Sequence, residues 1–481
     1  MSQNTDPAAA TVTLTRLVES GYSLLSEPIP AIELPGGTIV NTAQKATRDL
    51  LRLWCGPSTT DGTPDWNPLG GLIQAGSRIV IKPNWVLHEN QSGAGLECLV
   101  THPDVLCAVL DYVLLTRPAG VIVGDAPVQS CDLPRLLADL RLDTRLEEYA
   151  RRGDPVAWRD FRRTILAREK REHCAPAERY VLFDLGRESL LEPITTGQER
   201  FRVTMYDPDL LAQRHAPGRH QYLIAAELLE ADVVVNLPKL KTHKKAGVTG
   251  ALKNLVGING NKEFLPHHRR GGGARGGDCY VGGSWWKERA EDLLDAANRR
   301  AVGGAQARLS RAAEVLTSLG LWMGAEDQDL EGSWFGNDTV WRMCLDLQRI
   351  LRYGTARGTI ESRPQRQVLS ITDAIVAGEG EGPLANVPAP AGFLTAAANP
   401  AAAEWVHCHL MGFNPELIPL VRESFGAFSY PIANFPPSSI AVRTAAGTVT
   451  PDALAPVLGR PFTAPSGWLG HCELTPAGMP G

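Results

Sequence analysis

The chain has 481 residues, 43% of them hydrophobic and 21% charged, with a formal net charge of −5. That length exceeds what one core organises and calls for two or three packed lobes. The mild acidity excludes a general nucleic-acid binder, whose surface would be basic overall. Residues 1–12 lack the basic start and apolar stretch of a secretory signal, and no run reaches the ~18 apolar residues of a membrane span. Nine cysteines form no CxxC pair, which points to reduced thiols in a cytoplasm and to neither a zinc ribbon nor an iron–sulfur cluster.

In chain order, residues 1–74 read as an N-terminal extension with a short amphipathic piece, Thr42–Trp54. Arg78–Lys82 is an apolar strand followed by a loop, and Thr101-His102-Pro103 opens a helix, proline being tolerated where its missing N–H costs nothing. Val105, Leu106, Val109, Leu110, Val113 and Leu114 recur at helical spacing, and Val121–Val123 is the next strand. Strand, helix, strand at this spacing predicts a parallel crossover and hence an α/β fold, a mainly parallel sheet flanked by helices. The segment 131–200, rich in Arg, Glu and Asp, predicts surface helices.

The sheet resumes at Ala231–Leu237, so 75–265 forms the first part of the core. Residues 266–365 read as a glycine-rich and helical insertion, with two helices over Trp285–Trp322 broken at Gly303-Gly304. Another helix runs to about Tyr353, and residues 366–433 complete the core with strands Val368–Val376 and Gly392–Ala398 and the helix Pro400–Met411. The last part, 434–481, is a small proline-rich C-terminal extension with one strand, Ser439–Arg443.

The segment from Asn236 to Lys262 carries six lysines, one histidine and four glycines directly after Val233-Val234-Val235. A strand ending in cations, an imidazole and flexible glycines has the form of an anion site at a sheet edge. Its spacing does not match GxxxxGK[S/T], so it is not a nucleotide P-loop. The alternative is a solvated basic turn.

Four strand ends carry polar clusters: Lys82-Pro83-Asn84, Asp125 after Gly124, Pro238–Lys245, and the turn Gly378-Glu379-Gly380-Glu381-Gly382. Ligands in open parallel sheets bind beyond the carboxyl ends of strands, so these four predict one pocket if the strands are neighbours. Lys82, Asn84, Lys239, Lys241, Thr242, Asn254 and His268 are then candidates for binding a small anionic metabolite, phosphorylated or carboxylated. His243, Lys253 and His267 are candidates for acid–base or nucleophilic work. Asp125, Glu379 and Glu381 are candidate ligands of a divalent cation, Mg²⁺ or Mn²⁺, ahead of nickel or iron. An ordinary glycine-rich turn with acids paired to lysines is the competing reading. His407 and His409 point apart on a helix and predict no joint metal site. Trp334 and Trp341 line a cleft or sit in a core. No oligomeric state is encoded.

Taken in order, Ile-Lys-Pro-Asn (81–84), Thr-His-Pro (101–103), Val-Gly-Asp-Ala-Pro (123–127), Leu-Pro-Lys-Leu-Lys-Thr-His (237–243), Thr-Gly-Ala-Leu-Lys-Asn (249–254), Asp373 with Gly-Glu-Gly-Glu-Gly-Pro (378–383), Asn399-Pro400 and Met411-Gly412 resemble the domain of unknown function 362 family. The resemblance spans about residues 75–415. Gly-Asn-Asp-Thr (336–339) and Gly-Trp-Leu-Gly-His (467–471) look like a subgroup found beside polysaccharide or natural-product genes. Many relatives carry ferredoxin-type cysteine runs that this chain lacks, and many place Asp where Glu404 stands. The family implies a fold and a site rather than a reaction. A fainter similarity of motif order to nickel-pincer lactate racemases would cast Lys253, His243 and His267 as cofactor or proton-transfer residues, by analogy alone.

Overall fold

Three β-branched runs, Ile79–Ile81, Val121–Val123 and Val233–Val235, are apolar without alternation, the pattern of strands buried on both faces. In the computed structural model they are adjacent inner strands of one sheet. The structure describes residues 9–474 apart from 30–33, 36, 64, 168–169, 198–199, 205, 301–302 and 323–329.

Twelve strands share this sheet. In chain order they are β1 (Thr11–Arg16), β2 (Arg78–Pro83), β3 (Gly120–Asp125), β4 (Val156–Asp160), β5 (Val233–Leu237), β6 (Lys239–His243), β7 (Gly247–Thr249), β8 (Gln367–Glu381), β9 (Ala385–Ala389), β10 (Phe393–Ala397), β11 (Ala441–Thr444) and β12 (Gly447–Val449). The order across the sheet is β12-β11-β1-β10-β8-β5-β2-β3-β4, with β6 and β9 attached at β8 and β7 paired to β6. From β8 to β4 every pairing is parallel; β10 and β9 pair antiparallel to β8. The fold is α/β with a large mixed, mostly parallel sheet.

Helices cover both faces. α1 (Thr42–Cys55) starts with a reciprocal cap between Asn41 and Gln44, and α2 (Pro103–Leu114) starts with His102 as cap and proline in its first turn, as the sequence predicts. Ile79, Ile81, Val233 and Val235 pack with these helices, whereas Val80 and Val234 point into a second core shared with α5 (Val340–Tyr353) and α6 (Pro400–Met411). Between them in the chain, α3 (Trp285–Asn298) and α4 (Gly304–Trp322) form the helical pair expected on either side of Gly303. Among the described residues, no helix is long and apolar enough to cross a membrane.

Three expectations change. The segment 131–200 is only partly helical: Leu133–Asp139 and Leu142–Arg151 are helices, but β4 and the strand Tyr180–Asp184 follow. Those strands are largely exposed, so their charged residues hide the alternation that marks a strand. Gly378–Gly382 is no free turn, because all but its last residue continues the 15-residue β8. The glycines there admit close neighbours: a Cβ on Gly378 would lie 2.6 Å from the Cys98 carbonyl oxygen, and one on Gly382 would lie 1.9 Å from that of Thr242. Finally, the N-terminal segment contributes a strand to the sheet, β1 lying between β10 and β11.

Candidate functional site

The parallel register aligns Asn236 with Lys82 and Leu237 with Pro83, while Asp125 ends β3 next door. Where β5 ends, Pro238 redirects the chain so that β6 pairs with the far half of β8, Lys239 opposite Asp373 and Lys241 opposite Gly378. Three of the four predicted strand ends therefore meet in one region, with β8 alongside.

Two lysines are neutralised there. Lys82 Nζ lies 2.7 Å from Asp125 Oδ1 and donates to Asn254 Oδ1 at 2.8 Å. Asp125 also accepts the backbone N–H groups of Trp85 and Ala126. Burial draws the Lys82 pKa down and pushes that of Asp125 up, against their mutual attraction. Gly257 lies over this pair, and a Cβ there would sit 1.9 Å from Asp125 Oδ1. Asn254 ties the ends together, its Nδ2 donating to Lys82 O and Asn236 Oδ1, and Asn84 donates to Asn254 Oδ1 at 3.2 Å.

Lys239 Nζ lies 2.6 Å from Asp373 Oδ2 and donates to the Tyr22 hydroxyl at 2.7 Å, while Tyr22 donates to Asp373 Oδ1 at 2.7 Å. Tyr22 stacks on His102 with ring centroids 3.6 Å apart. No local signal marks Tyr22, since it reaches Asp373 across 351 positions.

The other lysines differ. Lys241 Nζ is fully buried and, among the described residues, donates to two carbonyl oxygens, Leu99 at 2.5 Å and Pro383 at 3.4 Å. Burial draws its pKa well down, and Lys253 and Lys239 push it further. Lys262 Nζ donates to Ala126 O at 2.9 Å, and its pKa falls to about 8, chiefly through burial. The Lys253 side chain has neither a hydrogen bond nor a carboxylate within ion-pair distance among the described residues. Its pKa is also lowered by burial, with Lys245 and Lys82 adding to the effect against the pull of Cys344. Asn84, Lys253, Val256, Lys262 and His267 are partly accessible amid otherwise buried neighbours.

The two nearby histidines present opposite tautomers. His243 Nδ1 accepts the Lys245 backbone N–H at 3.0 Å, so in the neutral ring the proton sits on Nε2. His267 Nδ1 lies 2.6 Å from the Leu265 carbonyl, which can only accept, so its proton sits on Nδ1 and Nε2 carries the lone pair. Both rings are neutral near pH 7: burial lowers His243 well below its usual value and His267 to about 3, with neighbouring lysines reinforcing both shifts. His243 therefore offers a donor and His267 an acceptor. His268 lies deeper, its Nδ1 buried without a hydrogen-bond partner among the described residues.

The predicted carboxylate trio does not converge. Asp125 is committed to Lys82. Glu379 receives two hydrogen bonds from Arg460, at 2.7 and 2.9 Å, and one from the Thr463 N–H at 2.7 Å. Burial raises the Glu379 pKa, but these bonds outweigh it and leave it below the ordinary value. Glu381 accepts the Ser466 N–H at 2.6 Å. Among the described residues, no group of three or more His, Cys, Asp or Glu is placed to hold a metal ion. The two glutamates instead fasten a C-terminal strap. Trp468 on that strap donates to Lys244 O at 2.8 Å and packs on Gly247, whose φ of +77° suits glycine. Thr242, expected to bind substrate, donates to Gly380 O instead. Trp334 donates to Asp278 O, and Trp341 is buried with its Nε1 on Asp338, so both serve packing in the insertion. His407 bonds Thr395 while His409 lies toward Asp452, so the two do not share a ligand site.

Residues 195–409, which contain the whole lysine segment and Asp373, match the family described as Domain of unknown function (DUF362). The chain carries a DUF362 domain. Lys82, Asn84 and Asp125 precede the matched stretch yet complete the same site, so the DUF362 region alone does not contain every residue of it. The chain is 27% identical over 195 residues, 40% of its own length and 42% of the relative's, to the thylakoid-associated protein sll1697 of Synechocystis sp.. A crystal structure of a protein from Thermotoga maritima overlays with a TM-score of 0.31 at 10% identity, covering 73% of this chain and 54% of that one. The chain thus covers less than two thirds of the length of either.

Proposed function

We propose that this site binds a small anionic metabolite, phosphorylated or carboxylated, and catalyses proton transfer on it. The observation that carries the reading is the pairing of His243 and His267, two neutral imidazoles in opposite tautomers beside cations that lack carboxylate partners. Lys241, Lys253 and Lys262 have no carboxylate within ion-pair distance among the described residues and supply the attraction. An arriving anion raises the proton affinity of all three and is held by charge-assisted hydrogen bonds. His267 Nε2 then removes a proton from the carbon beside the anion's acidifying group, and His243 Nε2–H supplies one. This favours isomerase, epimerase or lyase chemistry over group transfer, which needs an activated nucleophile or leaving group rather than two matched imidazoles.

The test is carbon-bound proton exchange. Candidate carboxylic and phosphorylated metabolites are incubated with the protein in D2O and followed by NMR. The expected result is deuterium incorporation at one carbon of one compound class, lost in His267→Gln. Anion binding with no exchange in any compound would contradict the catalytic reading and leave a binding protein.

A further inference from the structure

The chain uses arginine almost everywhere: of 48 basic residues, ten are lysines and so 38 are arginines. Seven of the ten lysines (Lys82, Lys239, Lys241, Lys244, Lys245, Lys253 and Lys262) occupy this site or its rim. Elsewhere the chain mostly places arginine, even at buried sites such as Arg366 and Arg349. Arginine cannot deprotonate, whereas lysine can, so the concentration of lysines marks a place where an amine, not only a cation, is required.

Within that group Lys253 stands apart. Lys82 and Lys239 hold carboxylates, Lys241 and Lys262 hold carbonyls, and Lys244 and Lys245 lie near Glu331. The Lys253 amine has no acceptor among the described residues, belongs to a partly accessible residue, and exerts the largest charge effect on His243. We propose that Lys253 is a nucleophile that forms an imine with an anionic substrate carrying a ketone or aldehyde, a 2-oxo acid or a phosphorylated carbonyl compound. This deepens the proton-transfer reading and rests on it.

The step balances within the site. The Lys253 nitrogen lone pair forms the C–N bond while the carbonyl π pair moves to oxygen, which accepts a hydrogen bond from His243 Nε2–H and takes a proton from the new ammonium nitrogen by way of solvent. The carbinolamine oxygen takes a second proton, from solvent, and leaves as water as the nitrogen lone pair closes C=N, giving the protonated imine. In its protonated form the imine draws electrons, so the pair left when His267 removes the neighbouring proton is delocalised onto nitrogen. Hydrolysis reverses the sequence and frees the amine. The lowered proton affinity of Lys253 described above increases the share of neutral, nucleophilic amine over that of an ordinary lysine.

The experiment is reductive trapping with two probes, pyruvate and pyridoxal 5′-phosphate, using sodium cyanoborohydride at pH 7, followed by intact mass and peptide mapping. One adduct per chain at Lys253 is expected, with labelling at least tenfold above exposed Lys45 and at least tenfold lower in Lys253→Arg. In wild type, the rate of Lys253 labelling should reach half its maximum at a pH below the ordinary lysine value, a readout that needs no variant. Labelling spread over exposed lysines with Lys253 unmodified would overturn the proposal. Phosphate-induced thermal stabilisation without any Lys253 adduct would defeat the imine yet leave the anion site; absence of both would defeat the site as well.

Discussion

Lys82 and Lys239 differ from Lys241 and Lys253 in one respect that decides their roles. All four lie near the ends of the strands, and burial lowers the pKa of each. The first two face a buried aspartate at 2.7 and 2.6 Å, and each aspartate also accepts backbone N–H groups. Among the described residues, the second two face no carboxylate within ion-pair distance. A buried cation with a fitted partner is part of the scaffold, since removing either member strands the other. Without one, a buried lysine carries a desolvation cost that the fold does not offset, and a ligand can.

Breaking a pair should have the largest effect. Lys239→Met leaves Asp373 buried with its cation gone, at a cost of about 3–5 kcal/mol in urea denaturation. Asp125→Asn should act similarly on the other pair. Lys253→Met, by contrast, removes an unpaired amine from a desolvated site and should leave stability unchanged or raise it by about 1 kcal/mol. Equal losses for Lys239→Met and Lys253→Met would erase the distinction.

Acid should next reveal the neutral histidines. Burial lowers both His267 and His215 to about 3 in the folded chain, below the ordinary value of 6.5. The unfolded chain therefore binds protons first as pH falls. Their contribution to stability is complete above about pH 6.5 and disappears as pH drops toward about 3. The urea midpoint should fall through that window, and His267→Gln should make the decline shallower. An identical slope would show that His267 is not held neutral.

The smallest effect concerns the strap. Arg460 is half exposed where it grips Glu379, so Arg460→Ala should cost under about 1 kcal/mol globally. Amide exchange should nevertheless quicken at Gly380, whose N–H donates to Thr463 O. Unchanged exchange there would mean that the strap holds without its ion pair.

Much of this was legible in the residues. The apolar runs at 79–81, 121–123 and 233–235 announced buried strands, and Asn236–Lys262 announced a cationic site, because both signals are local. What was not legible is pairing across distance. Asp125 and Glu379 look alike as acids beside glycine, yet one neutralises Lys82 and the other fastens Arg460, 81 positions away. Tyr22, from a segment with no distinguishing pattern, completes the Lys239–Asp373 cluster. The scarcity of lysine outside the site was visible in the sequence and is the signal that sets Lys253 apart from a merely basic loop.

The most direct measurement is urea unfolding of wild type, Lys239→Met and Lys253→Met with and without inorganic phosphate. Lys239→Met should lose stability yet keep the increment that phosphate gives, whereas Lys253→Met should keep its stability and lose the increment. A Lys253→Met protein that responds to phosphate as fully as wild type would contradict the account.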